Sequence, residues 1–309
     1  MHPPLHRIYP QLWYTSRRTM CEAPKTVDYL KKCRKRDSCL PNSWIVVRLD
    51  GRSFTRFTEL HNFEKPNDRR ALELMNRAAA KVMEEIKDIS LAFGQSDEYS
   101  FVFKKDTELF DRDVHSLTSI VNSLFTTAYV YYWDDFFAHN TKLLYPPGFD
   151  GRVVVYPDDV NLKDYLSWRQ ADVHINNLYN TVFWALVLKG NHDKRKAQEI
   201  LSGTVSSDKN DILFKDYGIN YNNEPQLFRK GTTLIRKFTR RPDSDKLQEN
   251  ILLLNCDIIG NKFWKDNPEI LSLQQPQVYT IPEGMKHYVV GDSNVVSEET
   301  HKSSETVKC

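Results

Sequence analysis

Between Trp44 and Tyr156 the hydrophobic runs change period in the order strand, helix, strand, strand, helix, strand, and few sheets accommodate that order. Trp44-Ile45-Val46-Val47-Arg48-Leu49 is β-rich and ends in Asp50-Gly51, a strand followed by a turn. Asn67-Asp68, after Pro66, opens a helix whose residues Leu72, Met75, Ala79, Val82, Met83 and Ile86 recur at helical spacing until about Lys87. Ile89–Phe93 and Tyr99–Phe103 are short strands joined by a turn over Gly94–Glu98. A second helix carries Leu117, Ile120, Val121, Leu124, Phe125 and Ala128 on one face, and Arg152–Tyr156 is a fourth strand. The sequence therefore predicts an α+β fold: a ferredoxin-like βαββαβ antiparallel sheet with helices on one face and added C-terminal helical elements.

Such a sheet has the strand order 4-1-3-2, which makes strands one and three neighbours. Asp50, at the tip of strand one, then lies beside Asp97 and Glu98, at the start of strand three. A strand-end Asp-Gly alone is an ordinary turn, and Asp97-Glu98 alone is a solvated hairpin tip. Together on adjacent tips they form an oxygen-rich site for hard divalent cations, with the Gly51 carbonyl accessible beside Asp50. Two Mg²⁺ ions shared with phosphate oxygens are the expectation, and a nucleoside triphosphate or another phosphorylated group is the expected substrate. Arg52, Ser53 and Thr55 follow the first acid, and Lys65 and Ser96 add a cation and a hydroxyl. Many polymerases and nucleotide cyclases place a two-metal centre on a palm-type sheet of this kind, a comparison of folds that does not establish an activity.

Beyond Pro157 the pattern turns helical, over Leu162–Leu188, Lys194–Leu201 and Ser207–Tyr217, and these helices are expected to cover one face. Lys230–Phe238 returns to strand character, Thr239–Glu249 reads as a mobile polar loop, and Ile251–Ile259 as a last strand. The helical part holds a polar cluster, His174 to Asn180, in which helical spacing separates His174 from Asn176, so that not all of it faces one ligand. A lone His in such a helix is more often structural. Lys209, Asn220 and their amide-rich neighbours offer weak signals for phosphate and sugar contacts. The division predicted is a basic leader over 1–40, a catalytic domain over 41–158, a helical and strand extension over 159–270, and a disordered tail over 271–309.

Net charge is +2, from 43 basic and 41 acidic residues, so any nucleic-acid surface must be local. The run Lys31-Lys32-Cys33-Arg34-Lys35-Arg36 is one candidate, and a solvated face is its ordinary reading. Five scattered cysteines without a CxxC pair argue against a disulfide framework or structural zinc and for a reducing compartment. No run approaches a membrane span, so no membrane insertion is expected. Met1–Cys21 holds Arg7, Arg17 and Arg18 without an acid, a composition compatible with a mitochondrial presequence; a cytoplasmic protein with a disordered leader, or one starting at Met20, is the alternative.

Several strings closely resemble the tRNA-histidine guanylyltransferase family: VRLDGRSF (Val47–Phe54), KPND (Lys65–Asp68), GQSDEYSFVF (Gly94–Phe103), LYPPGFDGRVVVY (Leu144–Tyr156) and LSWRQADVHINNLYNTVFW (Leu166–Trp184). The likeness runs from about Trp44 to Gly260. It implies a palm-like domain related to polymerases that extends the 5′ end of histidine tRNA by one guanosine. ATP adenylates the tRNA 5′ phosphate, the GTP 3′ hydroxyl attacks it, and pyrophosphate is removed from the new end, with two Mg²⁺ throughout. By that resemblance Asp50, the Gly51 carbonyl and Asp97 are metal ligands, with Glu98 beside them. Asp50, Gly51, Arg52, Ser53, Phe54, Thr55, Ser96 and Asp97 form the nucleotide site, and Lys65 acts in activation. His174, Asn176, Lys209 and Asn220 handle the tRNA end or phosphates. A homotetramer is implied as well. A broader templated tRNA 5′-end repair polymerase, another palm-type nucleotidyl enzyme, and an RNA-binding scaffold with a vestigial site are the rival readings.

Overall fold

The structure, a computed structural model, describes residues 37–137, 141–241, 244–271 and 278–290. Residues 1–36 of the expected leader, including Lys31–Arg36, and the tail over 272–277 and 291–309 lie outside the described residues.

Among the described residues seven strands form one antiparallel sheet: β1 Trp44–Gly51, β2 Ile89–Gln95, β3 Glu98–Phe103, β4 Phe149–Tyr156, β5 Thr232–Arg241, β6 Ser244–Leu254 and β7 His287–Val289. The order is β4-β1-β3-β2-β5-β6-β7, so β1 and β3 are neighbours. In their register Asp50 stands opposite Glu98 and Arg48 opposite Ser100, while on the other side Asp50 stands opposite Asp150 of β4.

Strand alternation divides the sheet residues between two cores. Ile45, Val47, Leu49, Phe101 and Phe103 bury one face against helices α2 (Arg69–Glu85) and α3 (Val114–Tyr131), which follow a short α1 (Phe54–Leu60). Full burial of a side chain such as Phe101 or Phe125 contributes about 1.5–3 kcal/mol. Trp44, Val46, Leu91, Phe93 and Val102 bury the other face. Their partners include Leu162, Tyr165, Leu166 and Val173 of the long helix α5 (Asp159–Leu188), which follows the short α4 (Trp133–Phe137). The two helices that follow β1 and β3 therefore share one face, as expected, and the C-terminal helix α5 covers the other: the apolar residues of β1 to β3 occur on both sides of the pleat, and each side needs a cover.

Each long helix starts where an aspartate accepts an orphan backbone N–H. Asp68 accepts from Arg70 at 3.0 Å, Asp113 from Ser116 at 2.8 Å and Asp158 from Asn161 at 2.8 Å. The C-terminal half of α5 leaves the sheet and builds a third core, Leu178, Val182, Leu186, Leu201, Leu213 and Tyr221, with α6 (Lys194–Leu201) and α7 (Ser206–Tyr217). Two short helices follow, α8 (Gln226–Lys230) and α9 (Asn261–Asp266), the latter adding Phe263 and Trp264 to the second core. No described helix is long and apolar enough to cross a membrane.

Three expectations are corrected. The polar stretch Thr239–Glu249 is a hairpin arm, with Thr239 paired to Gln248 and Arg240 to Leu247, because backbone pairing extends β5 and β6 past their apolar parts. The last strand expected over Ile251–Ile259 is β6, which ends at Leu254. Part of the tail expected to be disordered is ordered: His287–Val289 pairs with the edge of β6 and Tyr288 is buried.

Candidate active site at the tip of β1 and β3

β2 continues through Gln95, leaving Ser96-Asp97 as a two-residue turn before Glu98 opens β3. The Gly51 N–H donates to the Asp97 carbonyl at 3.0 Å, which locks the end of β1 to this turn. A Cβ at Gly51 would lie 2.7 Å from Asp97 Oδ2 and 2.5 Å from the Phe54 ring, so only glycine allows so close an approach. Ser53 and Ser96 both hold left-handed backbone (φ 56° and 49°), a strain that the surrounding packing sustains beside the acids.

The three acids differ in surroundings. Asp50 is half exposed at the strand tip and accepts from Arg48 Nη2 at 2.8 Å. Asp97 accepts from the Ser96 hydroxyl at 3.0 Å, and no ion pair holds its carboxylate among the described residues. Burial raises its pKa, the Ser96 hydroxyl and its own backbone N–H oppose this, and the charge of Asp50 adds to the rise. Glu98 is buried on the α5 face between Arg48 and Arg169, at 3.0 and 3.1 Å, and its pKa is raised by burial against the pull of both arginines. Asp150 also reaches this edge, but Arg152 engages it at 2.8 Å.

This donor set fits a hard divalent cation. Its members are oxygens, two carboxylates converge with like charge, and the half-buried Asp97 has no cationic partner among the described residues to offset its partial desolvation. Among the described residues no group of three or more His, Cys, Asp or Glu gathers as a complete protein cage. An ion that keeps water and substrate oxygens among its ligands needs no such cage.

The expected nucleotide residues Arg52, Ser53, Phe54 and Thr55 form the exit from β1 and the start of α1. Arg52 N–H donates to Gly148 O at 2.8 Å, and the Arg52 and Thr55 side chains face solvent. The Phe54 ring stacks on Phe57 (centroids 4.9 Å) in the core, so Phe54 offers a ligand its backbone only. Lys65 Nζ reaches Thr58 Oγ1 at 3.3 Å and lies 5.6 Å from the centre of the Trp184 ring. Lys194 Nζ lies 5.7 Å from that same ring and pairs with Glu59 at 3.1 Å. Burial lowers the pKa of Lys65, Glu59 works against that, and the charge of Lys194 adds to the lowering.

The structure does not gather the remaining candidates at the tip. His174 and Asn220 line a separate cleft of about 410 Å³ with Asn210, Phe214 and Tyr221. The His174 ring meets Tyr221 edge-on at 5.4 Å, and burial together with Arg229 lowers its pKa. Asn176 is exposed on the next part of α5. Lys209 donates to Thr204 O at 2.8 Å, and Asn220 Oδ1 accepts from Asn222 N–H at 3.0 Å, so both are tied locally. Amides tie the segment after Lys65 to this cleft: Asn67 Nδ2 donates to Asn177 Oδ1 at 2.9 Å, and Asn177 Nδ2 donates to Tyr221 OH at 3.0 Å.

Comparison with known proteins shows the family. The family model described as tRNAHis guanylyltransferase (Thg1) matches residues 27–157, and the Thg1 C terminal domain matches 160–279. A probable tRNA(His) guanylyltransferase of Mus musculus is 50% identical over 266 residues, covering 81% of this chain and 89% of its own length. The chain belongs to the tRNA(His) guanylyltransferase family. The crystal structure of the Saccharomyces cerevisiae tRNA(His) guanylyltransferase matches with a TM-score of 0.65 at 46% identity, over 67% of this chain and 92% of that one. A bacterial Thg1-like protein in complex with ATP shares the fold, with a TM-score of 0.64 at 20% identity over 81% of this chain and all of that one.

Sequence reading of this guanylyltransferase relative missed Arg48, Arg169, Trp184 and Tyr129 as site residues. Arg169 stands in the sequence only within the string LSWRQADVHINNLYNTVFW and Arg48 only within the first strand; their shared partner Glu98 emerges from register and helix packing. Tyr129 is buried among Phe54, Phe57, Phe149 and Trp133, and its hydroxyl has no hydrogen-bond partner. Burial first, and the charge of Asp97 second, raise its pKa.

Proposed function

We propose that this chain adds a guanosine to the 5′ end of histidine tRNA. A tRNA 5′-phosphate oxygen attacks the ATP α-phosphorus and releases pyrophosphate. The GTP 3′ hydroxyl then attacks the activated tRNA phosphorus and releases AMP, and water removes pyrophosphate from the new 5′ triphosphate. The observation that carries this reading is the pairing of β1 with β3, which sets Asp50 opposite Glu98 and presses Asp97 against Gly51.

Asp50, Asp97 and the Gly51 carbonyl are the residues that would hold two Mg²⁺, and the bound ions would supply charge neutralisation at phosphate oxygens. The protein's own part is positioning. The Gly51 to Asp97 hydrogen bond fixes Asp50, at the end of β1, and Asp97, in the turn before β3, at one edge. Arg52 and the backbone at Ser53 and Ser96 border the place where phosphates approach. Lys65, held by Thr58 beside Trp184, brings an ammonium to the activation step. The first four strands with α2 and α3 follow a ferredoxin-like, palm-type order, which supports polymerase-like chemistry. Residues 41–158 act as the catalytic domain and 159–270 as the tRNA and phosphate extension, with His174, Asn176, Lys209 and Asn220 on that surface. A homotetramer would let a neighbouring subunit supply part of the tRNA surface, consistent with the net charge of +2 on one chain.

The test is incubation of the purified chain with 5′-monophosphorylated histidine tRNA, Mg²⁺, ATP and labelled GTP, with a non-histidine tRNA in parallel. One ATP-dependent 5′ guanosine on histidine tRNA is expected. Label on every tRNA would replace this reading with a general 5′-end repair polymerase, and no label on either would refute both.

A further inference from the structure

Glu98 is adjacent to Asp97 in sequence, yet its carboxylate is turned to the sheet face covered by α5. There Glu98 Oε2 lies 3.0 Å from Arg48 Nη2 and 3.1 Å from Arg169 Nη1, with Glu98 7% exposed and Arg169 4% exposed. The same Arg48 Nη2 donates to Asp50 Oδ2 at 2.8 Å. Arg169 Nη1 also faces Asp172 Oδ2 at 3.7 Å, and its guanidinium lies 3.5 Å from the centre of the Trp168 ring. Charges of alternating sign thus run without a break from Asp50 through Arg48, Glu98 and Arg169 to Asp172. Two residues along β3, Ser100 Oγ and Tyr165 OH share a hydrogen bond of 2.7 Å, a second polar tie between β3 and α5.

With Oε2 between two guanidinium groups and both arginines in need of a counter-charge, Glu98 has little freedom to turn toward a cation at the tip. The far end of the line lies on α5 just before His174, and the same helix reaches the Asn67 segment through Asn177. We propose that Glu98 and Arg169 are positioning residues and not metal ligands: through Arg48 they fix the Asp50 carboxylate and couple its placement to α5. The proposal rests on the reading of Asp50 and Asp97 as metal ligands for nucleotidyl transfer.

A double-mutant cycle on the full chain tests it, with Glu98→Gln, Arg169→Met and the double variant, and Arg169→Lys and Asp97→Asn as references. Readouts are kcat and KM for guanosine addition and the number of Mn²⁺ ions bound per chain in the presence of GTP, counted by electron paramagnetic resonance. Each single variant should lower kcat by about 10- to 100-fold with KM for GTP nearly unchanged, and the double variant should be no worse than either. Arg169→Lys should recover part of the loss, and Mn²⁺ stoichiometry should stay at that of the unaltered chain, whereas Asp97→Asn should lose bound metal. Additive losses, or loss of a Mn²⁺ ion in Glu98→Gln, would overturn the proposal. If Arg169→Met fails to fold, Asp172→Asn at the exposed end completes the cycle with Glu98→Gln. A smaller kcat loss that vanishes in the Glu98→Gln background is then expected, and full additivity again overturns it. Failure of the unaltered chain to bind Mn²⁺ with GTP would strike the functional reading itself, a result separate from any difference among the variants.

Discussion

At the tip of β1 and β3 the acids are held by backbone register, a close glycine contact and a line of charges buried at Glu98 and Arg169, whereas His174 is held by a ring contact with Tyr221 and Lys209 and Asn220 by local hydrogen bonds. Two carboxylates on neighbouring strands converge whenever the strands pair in that register, so their geometry leaves small tolerance for change. The cleft around His174 depends on how α5 and α7 pack and presents exposed side chains, so its members should be individually replaceable. On the proposed function the tip is the reaction centre and the cleft a recognition surface, and substitutions should separate the two.

The largest effect short of removing an acid is expected from Gly51→Ala. The added Cβ would meet Asp97 Oδ2 and the Phe54 ring, and guanosine addition should fall by about a hundredfold or more, with a stability loss of about 1–3 kcal/mol. Steady-state kinetics and thermal melts check this, and near-normal turnover would show that the tip tolerates movement. Next, Lys65→Ala should lower tRNA adenylation by about 10- to 100-fold and spare transfer onto 5′-triphosphorylated tRNA. Equal losses on both substrates would remove Lys65 from the activation step.

Lys65 also gives a pH test. Its pKa is lowered by burial and by Lys194, so the protonated form is lost at a pH below the ordinary lysine range. If the ammonium is the active form, the alkaline fall of adenylation should move to higher pH in Lys194→Gln and to lower pH in Glu59→Gln. Movement in the opposite directions in pH profiles would contradict this. The smallest effect belongs to the cleft: His174→Ala should raise KM for tRNA by about tenfold, with adenylation kcat nearly unchanged at saturating tRNA. A kcat collapse there would erase the distinction between the two regions.

The parts of this molecule that were legible in its sequence are those where local pattern and tertiary role coincide. Asp68 marks a helix start because an aspartate before an amphipathic run caps it, and β1 to β4 read clearly because their apolar runs are flanked by turn residues. The short α1 after Ser53 was not foreseen, since Phe54 and Phe57 are too few to show a period and the turn depends on a left-handed serine. The arm Thr239–Glu249 was missed because its pairing is held by backbone hydrogen bonds that polar side chains do not advertise. At the site, the convergence of Asp50 with Asp97 and Glu98 followed from strand order. The arginines around Glu98, and the shared approach of Lys65 and Lys194 to Trp184, arise from where α5 and α6 pack, which no short-range pattern encodes.

The central claim is that one centre, built on Asp50 and Asp97, serves both adenylation and guanosine transfer. Single-turnover assays of Asp50→Ala and Asp97→Ala, each with ATP and 5′-monophosphorylated histidine tRNA and separately with GTP and pre-adenylated tRNA, test it most directly. The prediction is that both variants lose both steps by about three orders of magnitude, or ~4 kcal/mol of transition-state stabilisation, while remaining folded. Adenylation at the unaltered rate in either variant would contradict a shared centre.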